Sequence, residues 1–316
     1  MNIRMTKNDN NTSLSIIVCT FNRADLLNEA LNSLVLQTAD KNLFEVIIVD
    51  NNSTDTTRIV AKDYALKHSN FRYVFEEKQG LSHARNRGYQ ESTSDWISYL
   101  DDDAKASKNY VERMLHVIKN YNFDCFGGVY LPWYKYGKPK WYKDRYGSNG
   151  FKLKRTGILL NDYASGGIIV FKRSVLEDFN GFSVSIGMSG GKIAYGEETK
   201  LQVKMRKKGY IIGFDPKLRI QHLVDHNKLK PSWYILSSFA KGRDSWVTFE
   251  LDVTLEIVFR LIASTTLFFS LNLCIYTLKL FTKGYYFQNW IIDLGTPIAV
   301  ATGQLSSSIR HLKIKK

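Results

Sequence analysis

Regular patterning begins at residues 14–20 (LSIIVCT), a short apolar run rich in β-branched residues that predicts a buried strand. Leu26, Leu27, Ala30, Leu31 and Leu34 then fall on one helical face. Residues 44–49 (FEVIIV) predict a second buried strand, closed by Asp50-Asn51-Asn52-Ser53. Residues 56–67 predict a helix, 71–75 a third strand and 81–91 another helix. Residues 96–100 predict a fourth strand, ending in Asp101-Asp102-Asp103. Strands alternating with helices predict an α/β fold on a mostly parallel sheet with helices on both faces. Ligands of such sheets bind at the carboxyl ends of the strands. The polar groups cluster there: Thr20-Phe21-Asn22-Arg23, Asp50-Asn51-Asn52 and the aspartate triplet.

The pattern breaks at residues 129–155, where Trp133, Trp141, Tyr142 and Tyr146 interleave with Lys138, Lys140, Lys143 and Arg145. Glycines and prolines in this stretch predict a long loop or irregular hairpin. Regular structure resumes near Gly166. A helix is predicted from Glu197 to a stop at Gly209, and a strand over 217–220 precedes Gln221-His222. Residues 261–278 carry no charge, and as a helix they would span ~27 Å, marginal for a bilayer core of about 30 Å. Asp293 is the lone charge over 284–309. The expected division is a catalytic domain at 14–252 and a helical, membrane-associated region at 253–316.

The chain has 316 residues, 44% hydrophobic and 13% aromatic, which suits a large α/β domain with an appendage and excludes a disordered chain. Residues 1–13 are polar, so no cleavable signal peptide is expected. Cys19, Cys125 and Cys274 are far apart, which argues against a disulfide framework or a zinc site and for a reducing cytosol. The net charge of +14 is carried by the chain beyond residue 110. Anionic lipid or a phosphorylated acceptor fits that charge. With no nucleic-acid-binding motif, nucleic acid is not an expected partner.

Four groups of residues can carry chemistry. A strand ending in adjacent carboxylates holds a divalent metal or forms a solvated turn, and the repulsion within Asp101-Asp102-Asp103 favours a cation. Gly196-Glu197-Glu198 aims a carboxylate into a cleft from a helix start, where negative charge is favoured, although acids are common there in any helix. His222 reads by itself as structural more often than functional. The small residues of Gln79-Gly80-Leu81-Ser82-His83-Ala84 let a helix N-terminus approach a nucleotide or phosphate, without matching a phosphate-loop pattern.

Together these segments resemble the family 2 glycosyltransferases, which have the GT-A fold. Ser15-Ile16-Ile17-Val18-Cys19-Thr20-Phe21-Asn22-Arg23 is similar to the family's opening strand, and Val49-Asp50-Asn51-Asn52-Ser53-Thr54-Asp55 to its second nucleotide-binding strand end. Gly80–Gly88 is similar to the helix that follows, and Leu100-Asp101-Asp102-Asp103 to the DxD element. Gly166-Gly167 through Phe171-Lys172-Arg173, with Gly181-Phe182, resembles the acceptor-side segment. Gly196-Glu197-Glu198-Thr199 resembles the Gly-Glu-Asp box. The elements come in the family's order over about residues 14–225.

The resemblance implies an inverting, metal-dependent glycosyltransferase using a nucleotide-sugar donor, UDP being the commonest nucleotide, with Mn²⁺ or Mg²⁺. It implies that Thr20, Asn22, Arg23 and Asp50 hold the nucleoside, with Asp50 on the base. Arg85 flanks the base or diphosphate. Asp101 contacts the ribose or the metal, Asp103 contacts the metal, and Asp102 stands in if the register slips by one. His222 reaches the metal or diphosphate. Glu198 occupies the position of the general base, usually Asp, with Glu197 the alternative. The Gln-x-x-Arg-Trp element of processive members is absent after Gln202, so one sugar per encounter is expected. The implied acceptor is a glycan or lipid-linked molecule of surface-polysaccharide or glycan assembly, at the cytoplasmic face of a membrane. Residues 257–281 and 286–308 would enter the bilayer as a hairpin, lie in its interface, or pack as a soluble subdomain. The competing readings are a catalytically inactive nucleotide- or sugar-binding module and a nucleotidyltransferase. The latter would need an early Gly-rich loop, which residues 14–23 do not contain.

Overall fold

The computed structural model describes residues 14–185 and 193–314. Residues 1–13, on which the signal-peptide expectation falls, and the terminal Lys315 and Lys316 lie outside the described residues. The described chain forms two compact units that interleave in sequence. The first comprises 14–131, 149–183 and 204–222; the second comprises 132–148, 184–185, 193–203 and 223–314.

The first unit is built on β1 (Leu14–Thr20), β2 (Phe44–Asp50), β3 (Phe71–Phe75), β4 (Trp96–Leu100), β5 (Ala104–Ala106), β6 (Cys125–Trp133), β7 (Gly157–Ile158), β8 (Ile168–Lys172) and β9 (Ile212–Leu223). Their order in the sheet is β3-β2-β1-β4-β8-β6-β9-β5, with β7 also on β9. β1 pairs in parallel with β2 and β4, and β2 with β3. Beyond β4 the expectation of a mostly parallel sheet is corrected. β8 runs antiparallel to β4 and β6, and β5 and β7 run antiparallel to β9. For β6 and β8 the cause is local, because no α-helix separates them to provide the crossover that parallel neighbours need.

Helices cover both faces. α1 (Ala24–Val35), α2 (Thr57–Lys67) and α4 (Tyr110–Asn120) bury Leu27, Leu31, Ala61 and Met114 with Ile16, Val18, Val46 and Ile48. Each of the Leu, Ile, Val and Met side chains contributes roughly 1.5–3 kcal/mol on burial. α3 (Leu81–Glu91) lies on the other face, where Gly88 sits directly on Ile17. α5 (Arg173–Asp178) follows β8, and Arg173 donates to the carbonyls of Tyr89 and Ser94.

In the second unit α6 (Glu197–Lys207) begins, and it ends in the first. α7 (Pro231–Thr248), α8 (Leu255–Lys279) and α9 (Phe287–Ile314) complete the second unit. α7 packs along α9 within this unit. The aromatic insert is ordered by packing rather than left as a surface loop. Trp141 and Tyr142 are buried with Tyr234 and Ile292, and Tyr234 donates to the Tyr142 hydroxyl at 2.8 Å. Those two rings are therefore core and are not free to stack on sugars. α9 buries Ile292, Leu294, Ala299 and Ala301, whereas α8 buries nothing. Of the two, only α8 is long and apolar enough to cross a membrane among the described residues.

Candidate active site

The carboxyl ends of β1, β2 and β4 meet at one edge of the first unit. β1 and β2 are in register through Thr20 opposite Asp50, and the triplet follows β4. β5 then pairs with β9 so that Ala104 faces His222. That short ladder brings an imidazole 121 residues away onto the aspartates. His222 lies inside β9, two residues beyond the strand end predicted at Ile220.

The His222 Nε2 stands 3.3 Å from Asp101 Oδ2 and 3.2 Å from Asp103 Oδ1. One ligand atom from each of the three residues fits within 4.8 Å of the others. Two carboxylates and one imidazole suit a divalent ion such as Mn²⁺, which accepts both oxygen and nitrogen donors, better than Mg²⁺, which prefers oxygen alone. Gly167 keeps this space open, since a Cβ there would lie 2.3 Å from Asp101 Oδ2. Tyr130 flanks the imidazole, with ring centroids 5.3 Å apart.

Asp102 faces elsewhere. Arg23 Nη1 donates to Asp102 Oδ1 at 2.9 Å and to Asp103 Oδ2 at 3.3 Å. Burial pushes the Asp102 carboxyl above the usual range, and the Arg23 guanidinium pulls it back. Asp102 in turn holds the Arg23 guanidinium above its ordinary pKa. Arg23, expected at the nucleoside, is thus the counter-charge of the triplet. Arg85 is 4% exposed and lies over the rings of Tyr99 and Phe182, with Nη2 3.9 Å from Asp101 Oδ1.

Asp50, expected on the base, has a fully buried carboxylate. It accepts from Ser53 N at 2.8 Å, Arg58 Nε at 3.1 Å and the Tyr73 hydroxyl at 3.0 Å. Arg58 and Tyr73 escaped the sequence reading because nothing in α2 or β3 marks them before Asp50 is placed between them. Asn22 has φ 52°, and its amide oxygen accepts from Thr54 N at 2.8 Å, which ties the β1 turn to the β2 turn.

Glu198 belongs to the second unit, in the first turn of α6. Gly196 before it has φ 108°, and a Cβ there would lie 2.1 Å from Thr248 Oγ1 of α7, so glycine is required on both counts. The Tyr195 hydroxyl shares a hydrogen bond with Ser237 at 2.9 Å. Burial lowers the Lys241 ammonium pKa, and the nearby Glu198 charge opposes that shift. Glu197 is 5% exposed, whereas Glu198 is half-buried.

A curled mixed sheet with helices on both faces and an Asp-Asp-His cluster at its strand ends is the GT-A architecture of glycosyltransferases. Residues 15–179 match the profile of glycosyl transferase family 2, and the chain belongs to that family. The chain is 25% identical over 240 residues to a glucosyl-dolichyl phosphate glucuronosyltransferase of Haloferax volcanii, covering 72% of this chain and 75% of the relative. It is 28% identical over 181 residues to glycosyltransferase AglE of the same organism, covering 57% and 59%. Among solved structures, the mannosyltransferase PcManGT of Pyrobaculum calidifontis, in complex with GDP-Man and Mn²⁺, matches with a TM-score of 0.65 at 18% identity, covering 92% of this chain and 86% of that one. TarS of S. aureus in complex with UDP matches with a TM-score of 0.53 at 18% identity, covering 93% and 90%. The family match ends before Glu198 and His222.

Proposed function

We propose that the protein is an inverting, metal-dependent glycosyltransferase that moves one sugar from a nucleoside-diphosphate sugar to a glycan or lipid-linked acceptor at the cytoplasmic face of a membrane. The observation that carries this reading is the convergence of Asp101, Asp103 and His222 within 4.8 Å at the strand ends. These three residues would hold Mn²⁺ or Mg²⁺, which supplies positive charge for the departing diphosphate. The Mn²⁺ and GDP-Man of the PcManGT complex and the UDP of the TarS complex support a metal and a nucleotide donor.

Thr20, Asn22, Asp50 and Arg85 line the donor side. Asp50 acts there through the Arg58 and Tyr73 groups that it orients as well as through its own position. Arg23 pairs with both Asp102 and Asp103 and offsets the repulsion between them. Glu198 takes the proton of the acceptor hydroxyl, which attacks the anomeric carbon opposite the leaving diphosphate and inverts its configuration in a single displacement. The dolichyl-phosphate relative supports a lipid-linked acceptor.

The test is a turnover screen of the purified protein against UDP-, GDP- and dTDP-sugars with Mn²⁺, Mg²⁺ or EDTA. One donor should be hydrolysed or transferred, with metal only. Tight nucleotide-sugar binding without turnover under any condition would instead assign the chain as an inactive binding module.

A further inference from the structure

Helix α8 is long and apolar, and it lies against α9 along one half-buried face while the rest of it is exposed. Its best 18-residue window has a mean hydropathy of 1.7, and none of its residues is buried. Its polar side chains are satisfied by their own backbone. Thr265 Oγ1 donates to Leu261 O at 2.7 Å, Ser270 Oγ to Thr266 O at 3.0 Å, and Asn272 Nδ2 to Phe268 O at 2.9 Å. A helix bonded in this way can meet hydrocarbon on any face.

Both ends of α8 are tied to the same helix pair. α7 and α9 run side by side in the same direction. Ile235 lies against Gly295, Gly242 lies against Val300, and Trp246 Nε1 donates to Gln304 O at 2.9 Å. α8 begins just after α7 ends, beyond the buried Val253. At its far end Trp290 Nε1, near the start of α9, donates to Thr277 Oγ1 at 3.2 Å. α8 therefore runs from the end of the α7–α9 pair back to its beginning. It could cross a bilayer only if the pair crossed with it, and α7 carries Lys241, Arg243 and Asp244, which are costly in hydrocarbon.

The far end of α8 carries an aromatic and basic collar. Lys279 Nζ lies 4.7 Å over the Tyr276 ring, Lys143 Nζ lies 4.8 Å over Tyr285, and Phe287 stacks on Trp290 at 5.5 Å. Burial lowers the Lys143 pKa, and the charges of Arg145 and Lys279 lower it further against the pull of Asp293. Rings and cations in this combination mark the headgroup level of a bilayer.

We infer that α8 lies in the interfacial plane of an anionic bilayer as a one-sided anchor, not a span, with Lys143, Arg145 and Lys279 against lipid phosphates. This deepens the membrane association proposed above and rests on it. The experiment labels the full chain at Cys274, exposed on α8, with an environment-sensitive fluorophore. Cys125 is buried, and burial pushes the Cys19 thiol up to about 12, so both react slowly. A second protein carries the label at Leu267→Cys in a Cys274→Ser background. Vesicles of phosphatidylcholine, with or without phosphatidylglycerol, carry nitroxides near the headgroup or at the chain ends. Both labels should shift to the blue on the anionic vesicles and be quenched by the shallow nitroxide alike. Lys143→Ala with Lys279→Ala should weaken anionic-vesicle binding by roughly tenfold, with donor hydrolysis unchanged. Deep quenching at position 267 with shallow quenching at 274 would overturn the in-plane anchor and leave membrane association standing. No vesicle binding, with self-association in solution, would overturn both and assign α8 to a second copy of the chain.

Discussion

The strand-end edge of the first unit and the helices of the second solve opposite problems. At the strand ends, like charges are forced together, and the fold answers with partners from distant elements. Arg23 from the β1 turn meets Asp102, and His222 from β9 faces Asp101 and Asp103. In the second unit, two apolar helices of similar length receive unequal answers. α9 finds α7 because glycines let the backbones touch, with Gly303 set against the Phe239 carbonyl and Gly242 against that of Val300. α8 lies against α9 but buries none of its residues. A polar site is thus recognised by what converges on it, and a binding surface by what fails to cover it.

The comparison breaks most easily at the triplet. Asp103→Ala should reduce transfer by roughly 10³-fold, the scale for losing a group that stabilises developing charge. EDTA should do the same to the wild type. The fold should survive, because the substitution removes one of the carboxylates that repel one another, and circular dichroism checks this. Full activity in EDTA would sink the metal reading. A larger loss in Asp102→Ala than in Asp103→Ala would shift the ligand register by one, against the pairing of Asp102 with Arg23.

Glu198 tests whether the second unit contributes chemistry at all. Glu198→Gln should lose turnover by about 10² or more while donor KM is kept, as expected for a general base. Glu197→Gln should be milder in kcat, since Glu197 is buried at 5% exposure and Glu198 is the half-buried member of the pair. An inactive Glu197→Gln beside an active Glu198→Gln would exchange the two roles.

The early elements were legible because their patterns were pure. β1, β3, β4 and α3 have the bounds that periodicity and composition predict. β9 was legible only in part. The strand predicted over 217–220 is part of a longer one, in which Arg113 of α4 and Thr156 hold the buried Asp215 carboxylate and which continues through to Leu223. Pairing with β5 carries the strand past Ile220, so His222 lies within it. At the site, the residue types at 101, 103 and 222 could be named from the chain, but Arg23's service to Asp102 and the hold of Tyr73 on Asp50 could not. Those are contacts between elements, with no spacing rule to announce them. Among the described helices hydropathy marks α8 and not α9 as apolar enough to cross a membrane, but it does not tell where small residues permit close contact.

That last difference is testable. A Cβ at Gly303 would lie 2.1 Å from Phe239 O and 2.8 Å from Arg243 N, so Gly303→Ala forces α9 away from α7. The expected cost is about 1–3 kcal/mol by urea denaturation, the range for overpacking. Leu267→Ala on the exposed face of α8, at a residue 59% exposed, should stay within about 0.5 kcal/mol in the same buffer. Equal costs at the two positions would mean that α8 is packed in solution after all.

A small effect on activity is expected at Asp50. Tyr73→Phe removes the hydroxyl that donates to Asp50 Oδ2 at 3.0 Å and leaves the Arg58 and Ser53 hydrogen bonds in place. The Tyr73 hydroxyl gives up its proton less readily than usual, because burial and then the neighbouring Asp50 carboxylate both raise its pKa, so it remains a donor at neutral pH. Losing one such bond from a group that keeps its other partners costs about 1 kcal/mol. If Asp50 serves the donor through the groups it orients, the loss should appear as a several-fold rise in the nucleotide-sugar KM with kcat nearly unchanged. The metal-ligand substitution, in contrast, should act on kcat. A Tyr73→Phe protein with a wild-type KM and a lowered denaturation midpoint would make the Asp50 cluster a brace for the β2 turn and remove it from the donor site.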